Sequence, residues 1–64
     1  MKSENKGIRL NRYLALCGVA SRRGSEQYIL DGRVKINGNV VTNIATIVNE
    51  SDIVEIDGKR INKL

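Results

Sequence analysis

Apolar residues in the first third of the chain recur at the spacing of a helix. Leu10, Tyr13, Leu14 and Cys17 fall three and four apart and would line one face. The spacing predicts a helix over about Leu10 to Cys17, with Arg9 and Arg12 away from the stripe. Gly18 follows the last apolar residue, where a left-handed stop belongs. A second helix is predicted over about Arg22 to Leu30. Ser21 precedes it as a good N-cap, because its oxygen can accept an otherwise unpaired backbone N–H. Gly24 stands where a capping box would place Glu or Gln. Inside a helix it costs about 1 kcal/mol relative to Ala. Tyr28 and Ile29 are expected to face inward, and Gly32 to end the helix.

The period then changes to two. Val34 and Ile36 alternate with Arg33, Lys35 and Asn37. Asn37-Gly38 is a strong hairpin signal, because both central positions of the favoured turn need positive φ. Val40 and Val41 begin the return strand. The run Ile53 to Ile56 meets a second such dipeptide, Asp57-Gly58, and Ile61 follows. Thr42 to Asp52 is less regular, with Ile44, Ile47 and Val48 apolar enough to pack. The expected fold is α+β: two short N-terminal helices packed on a small, mainly antiparallel sheet of three to five strands. Helices this short are unstable alone in water, so they must lie against each other and the sheet. Residues 1–7 are expected to be a flexible tail and 8–64 one folded domain.

Composition narrows what such a domain can do. At 64 residues, with 41% hydrophobic and 28% charged positions, the chain suits one small folded domain without a deep catalytic cleft. It has no proline, tryptophan or phenylalanine, so aliphatic side chains must build the core. One cysteine excludes an internal disulfide and any multi-cysteine metal site, and fits a reducing cytosol. Cys17 is expected to be core filler. The lack of histidine removes the commonest general base and zinc ligand. No metal or cofactor is expected. The polar start, MKSENKG, gives no support for a signal peptide, and no apolar run is long enough to span a membrane.

Charge is distributed unevenly. Residues 1–35 hold eight Lys or Arg against three Asp or Glu, and residues 36–64 hold three against four. Five of those first eight are arginine, whose planar fork suits phosphate. Such asymmetry points to a polyanion, nucleic acid first among them. Arg22 and Arg23 would flank a helix N-terminus, where free N–H groups and the helix dipole already favour an anion. Ser21 can cap that helix or offer its hydroxyl to a phosphate. Arg9 and Arg12 are three apart, hence neighbours on helix one. Arg33 and Lys35 would alternate along the first strand, opposite Val34 and Ile36. Together these residues are expected to form one basic surface. Plainer roles stand beside this one. Arg9 or Arg12 could keep helix one soluble, Arg23 could pair with Glu26 or Gln27, and Arg33 could cap helix two.

The segment RLNRYLALCGVASRRGSEQYILDGRVKINGNVV resembles the S4 RNA-binding domain. The resemblance runs from about Arg9 to Ile61. It rests on Arg9-Leu10-Asn11, Gly18-Val19-Ala20-Ser21-Arg22-Arg23, Gly32-Arg33-Val34 and Ile36-Asn37-Gly38, with Asp52-Ile53-Val54 through Gly58 as a later element. Gly24-Ser25 departs from the family's usual acidic residue and alanine. The resemblance implies RNA-binding residues at Arg9, Asn11, Arg12, Ser21, Arg22, Arg23, Arg33 and Lys35. The Ser-Arg-Arg form looks most like the N-terminal domain of bacterial pseudouridine synthases that act on ribosomal RNA. Those enzymes carry a catalytic aspartate in a Gly-Arg-Leu-Asp motif of a separate domain. The near match Gly7-Ile8-Arg9-Leu10-Asn11 ends in an amide, which cannot serve as that carboxylate, so no catalytic residue is expected here.

The resulting expectation is a monomeric, cytoplasmic module for structured ribosomal RNA, the binding domain of a larger isomerase, with no small-molecule substrate of its own. A stand-alone S4-type protein acting on ribosomal subunits or stalled ribosomes is the alternative. A basic module for an acidic protein partner is a further one.

Overall fold

Both helices end in the same way, and these endings set the layout. A computed structural model describes residues 7–63. Helix α1 spans Leu10–Leu16 and helix α2 spans Arg22–Leu30. At the end of α1, Gly18 takes φ 77°. Its N–H donates to the Ala15 carbonyl, and the Val19 N–H donates to Leu14. At the end of α2, Gly32 takes φ 74°, its N–H donates to Ile29, and the Arg33 N–H donates to Tyr28. These paired bonds are the Schellman motif, which satisfies carbonyls left over at a helix end. Helix α2 begins as expected: the Ser21 oxygen accepts from the Gly24 N–H at 3.1 Å.

The sheet follows from its turns. Strands β2 (Val34–Ile36), β3 (Asn39–Val41), β5 (Val54–Ile56) and β6 (Lys59–Arg60) form one antiparallel sheet in the order β3-β2-β5-β6. Strand β4, Ile47–Val48, lies elsewhere. Asn37 and Gly38 take φ 52° and 85°, and Asp57 and Gly58 take 52° and 83°. Positive φ at both central positions is the type I′ geometry that matches strand twist. These turns fix the register, with Val34 opposite Val41 and Ile56, and Lys35 opposite Val40 and Glu55. Asn37 adds a clasp: its side chain accepts from the Ile53 N–H and donates to Asp52.

One pairing was not expected. Ile8–Arg9 forms a two-residue strand, β1, antiparallel to β4, with Ile8 opposite Val48 and Arg9 opposite Ile47. The Leu10 N–H then donates to the Thr46 carbonyl at 2.8 Å, so the first N–H of α1 is met by a distant loop. Arg9 therefore stands in extended backbone ahead of α1, not on the helix. Gly7, the last residue of the expected tail, is packed: a Cβ there would meet Ile47 and lie 2.7 Å from the Val48 carbonyl oxygen. Residues 1–6 lie outside the described residues.

Leu10, Leu14, Ile29, Val34, Val48, Val54 and Ile56 form the core, with Tyr13, Val19, Tyr28, Ile36, Val41 and Ile61 packed around it. Helix α1, helix α2, both sheets and the β4 loop all contribute. Fully burying one such aliphatic chain stabilises by about 1.5–3 kcal/mol. Cys17 is partly buried. Burial pushes its thiol above the ordinary range, against opposing effects of Tyr13 and Lys63, which suits filler and not a nucleophile.

Candidate nucleic-acid interface

The first turn of α2 carries Arg22 and Arg23, both exposed, and no acidic residue. Ser21 occupies one N–H of that turn, and the dipole end stays positive. Arg12 is exposed on α1, opposite its buried Leu10 and Leu14. The two helices are tied by Asn11, whose amide nitrogen donates to a Glu26 oxygen at 3.1 Å. Arg12 is the next residue after Asn11, and Arg22 is one turn back from Glu26 on its own helix. Arg12 is thus exposed on α1, and Arg22 and Arg23 are exposed in the first turn of the helix packed against it. Arg9 is exposed where β1 hands over to α1.

The remaining expected residues are placed differently. Asn11 is only 7% exposed. Its amide serves Glu26, and its carbonyl oxygen accepts from the Arg12 N–H. It ties the two helices together from a buried position. Lys35 lies on the sheet face opposite Val34 and Ile36, so it points away from the helical core. Its cross-strand row reads Val40, Lys35, Glu55, Arg60, and the central Glu55 offsets the cations beside it. Arg33 follows α2 at its C-terminal end. Arg22 opens that helix, and nine residues at about 1.5 Å each separate the ends by about 13 Å. Arg12, Arg22 and Arg23 are thus carried by the two helices with Ser21 as the cap of α2, Arg9 by β1, Lys35 by the outer face of the sheet, and Arg33 by the segment that follows α2.

Arg33 has partners that the sequence reading did not assign. Its Nε donates to one Asp57 oxygen at 3.0 Å and its Nη2 to the other at 2.6 Å. This is the one ion pair among the described residues. Its Cζ also lies over the Tyr28 ring, 4.2 Å from the centroid. The Asp57 hydrogen bond raises the Arg33 pKa, and the reciprocal bond lowers that of Asp57. The signal was present in the predicted glycine stop. A Schellman ending at Gly32 sets residue 33 against residue 28. Asp57, 24 positions away, could not be found that way. Arg23 forms no ion pair with Glu26, whose carboxylate serves Asn11.

A pair of short helices set on a small antiparallel sheet, with exposed arginines on both helices, is the arrangement these residues build. Comparison with known proteins agrees: the S4 domain model matches residues 8–54. The chain belongs to the S4 domain family. It is 54% identical over 55 residues to an uncharacterized RNA pseudouridine synthase of Aquifex aeolicus, covering 84% of this chain and 22% of that protein. It is 44% identical over 55 residues to ribosomal large subunit pseudouridine synthase B of Bacillus subtilis, covering 86% and 22%. A solved pseudouridylate synthase shares the fold, with a TM-score of 0.76 at 22% identity over 89% of this chain and 25% of that one. The chain thus spans about a fifth of the length of these curated relatives. Among the described residues no helix is long and apolar enough to cross a membrane, and no cluster of His, Cys, Asp and Glu could hold a metal ion.

Proposed function

We propose that this chain binds structured ribosomal RNA by phosphate and shape, and serves as the docking module of a pseudouridine synthase. The observation that carries the reading is the exposed Arg22–Arg23 pair at the capped, acid-free N-terminus of α2. Arg12 is exposed on the neighbouring helix α1. Backbone N–H groups, helix dipole and two guanidinium forks all favour an anion there. Paired RNA hides its base edges in a narrow major groove, so the helix pair would read backbone and shape. The relatives' names support RNA as the polyanion and a uridine isomerisation as the parent activity. The chain's own part is affinity and orientation. Catalysis would belong to a separate domain, and binding needs no cofactor.

The test is a salt titration of affinity for a folded ribosomal RNA fragment. With Arg9, Arg12, Arg22 and Arg23 each neutralising one phosphate, log K should fall against log salt with a slope of roughly −3 to −4. A flat response would remove the phosphate-centred reading. Failure of excess ribosomal RNA to displace an acidic protein partner would favour a protein-binding role.

A further inference from the structure

Arg33 is the cation least suited to grip a phosphate, and its surroundings indicate another ligand. Asp57 takes two of its N–H groups and offsets its charge, and Asp31 at the helix end also acts on it. What remains is a flat group with a fixed orientation. The Schellman ending of α2 anchors its backbone, because the Arg33 N–H bonds to the Tyr28 carbonyl at 3.1 Å. The Cζ of its guanidinium lies over the ring of that same Tyr28. The carboxylate of Asp57 grips one edge in a fork. Asp57 is itself fixed by its place in the β5–β6 turn, where its N–H donates to the Arg33 carbonyl at 3.0 Å. The side chain of Arg33 is still 44% exposed, so the stack is not closed from above.

A planar group, held by Tyr28 and Asp57, partly open to solvent and with an offset charge, fits a nucleobase. Unpaired RNA bases stack on guanidinium planes as they do on aromatic rings. Such a contact costs little ordering when the plane is already held. We propose that Tyr28, Arg33 and Asp57 form a stacking platform for one unpaired nucleobase of the bound RNA. It lies a helix length, about 13 Å, from the phosphate-binding turn. The proposal rests on the RNA-binding reading above and adds to it a second point of contact, made through stacking and not through phosphate. Tyr28 and Asp57 are positioning residues, and the guanidinium of Arg33 meets the base.

The experiment compares two RNA stem-loops with one stem. One has a loop of four uridines, and the other has four abasic residues in the loop. Each is titrated with the full chain and with Arg33→Lys, which keeps the charge but loses the plane and fork. The full chain should bind the abasic loop about fivefold or more weakly, the low end of what one stacked base contributes. Arg33→Lys should bind both RNAs equally, at the affinity of the full chain for the abasic loop. Affinity for the abasic RNA also reports the phosphate surface and an intact fold. A full chain without loop preference, or an Arg33→Lys variant that retains it, overturns the platform and leaves the phosphate reading standing. No binding of either RNA by the full chain overturns both.

Discussion

Asn11 of α1 donates its side-chain amide to Glu26 of α2 across the helix seam, at 3.1 Å, while only 7% exposed. A polar group this buried contributes through its partner, and its loss leaves the partner short of a donor. Asn11→Ala should therefore lower stability by about 1–3 kcal/mol, read as a shift in the urea midpoint with an unchanged m-value. RNA affinity well below that midpoint should stay within about twofold, as the residue holds the seam and not the ligand.

Arg22 and Arg23 are exposed and free of ion pairs among the described residues. Changing both to Ala should leave the urea midpoint nearly unmoved. Affinity for structured RNA should fall by about 2 kcal/mol or more, since hydrogen bonds to charged groups contribute about 1.5–3 kcal/mol each. The slope of log K against log salt should shrink by about 2, one for each phosphate contact removed. Unaltered affinity would move the phosphate site off α2.

Gly7 has no room for a methyl group. Its Cβ would meet the Ile47 side chain and the Val48 carbonyl oxygen. Gly7→Ala should cost about 1–3 kcal/mol by overpacking, seen as a lower thermal midpoint. Amide exchange should rise at Leu10, whose N–H bonds to Thr46 beside the disturbed strands.

Arg33 holds Asp57 below the ordinary carboxylate range through their hydrogen bonds. A carboxylate depressed in the folded state adds stability that is complete above its unfolded pKa, roughly pH 4. That stability is lost as the pH falls through the depressed value. Arg33→Gln should move the Asp57 midpoint up toward the ordinary range in an NMR titration. Asp57→Asn should remove this part of the acid-side loss. Both groups are well exposed, so the change in stability is small and the titration midpoint is the sharper readout.

Much of this architecture is legible from local chemistry. Helix α2 starts and ends where Ser21 and Gly32 place it, and α1 stops one residue short of the prediction, with Cys17 as its cap. The two hairpins sit at Asn37-Gly38 and Asp57-Gly58 because few other dipeptides accept those φ values. What local pattern could not show is pairing between distant, featureless segments. Ile8–Arg9 is too short to display a period, and its partner lies in the irregular stretch before Asp52. Local chemistry likewise placed Arg22 and Arg23 in the first turn of α2, behind the Ser21 cap. The bond from Asn11 to Glu26 spans 15 positions and that from Arg33 to Asp57 spans 24, too far apart for local pattern to pair them. Lys35 was correctly placed opposite Val34, but only the strand register reveals Glu55 at its side.

The bond from the Leu10 N–H to Thr46 has a consequence for how the chain matures during synthesis. Two helices of seven and nine residues have little order of their own. Their anchor emerges from the ribosome only after some three dozen further residues have been made. The bond that closes the start of α1 can therefore form only after both helices and the β2–β3 hairpin have been made.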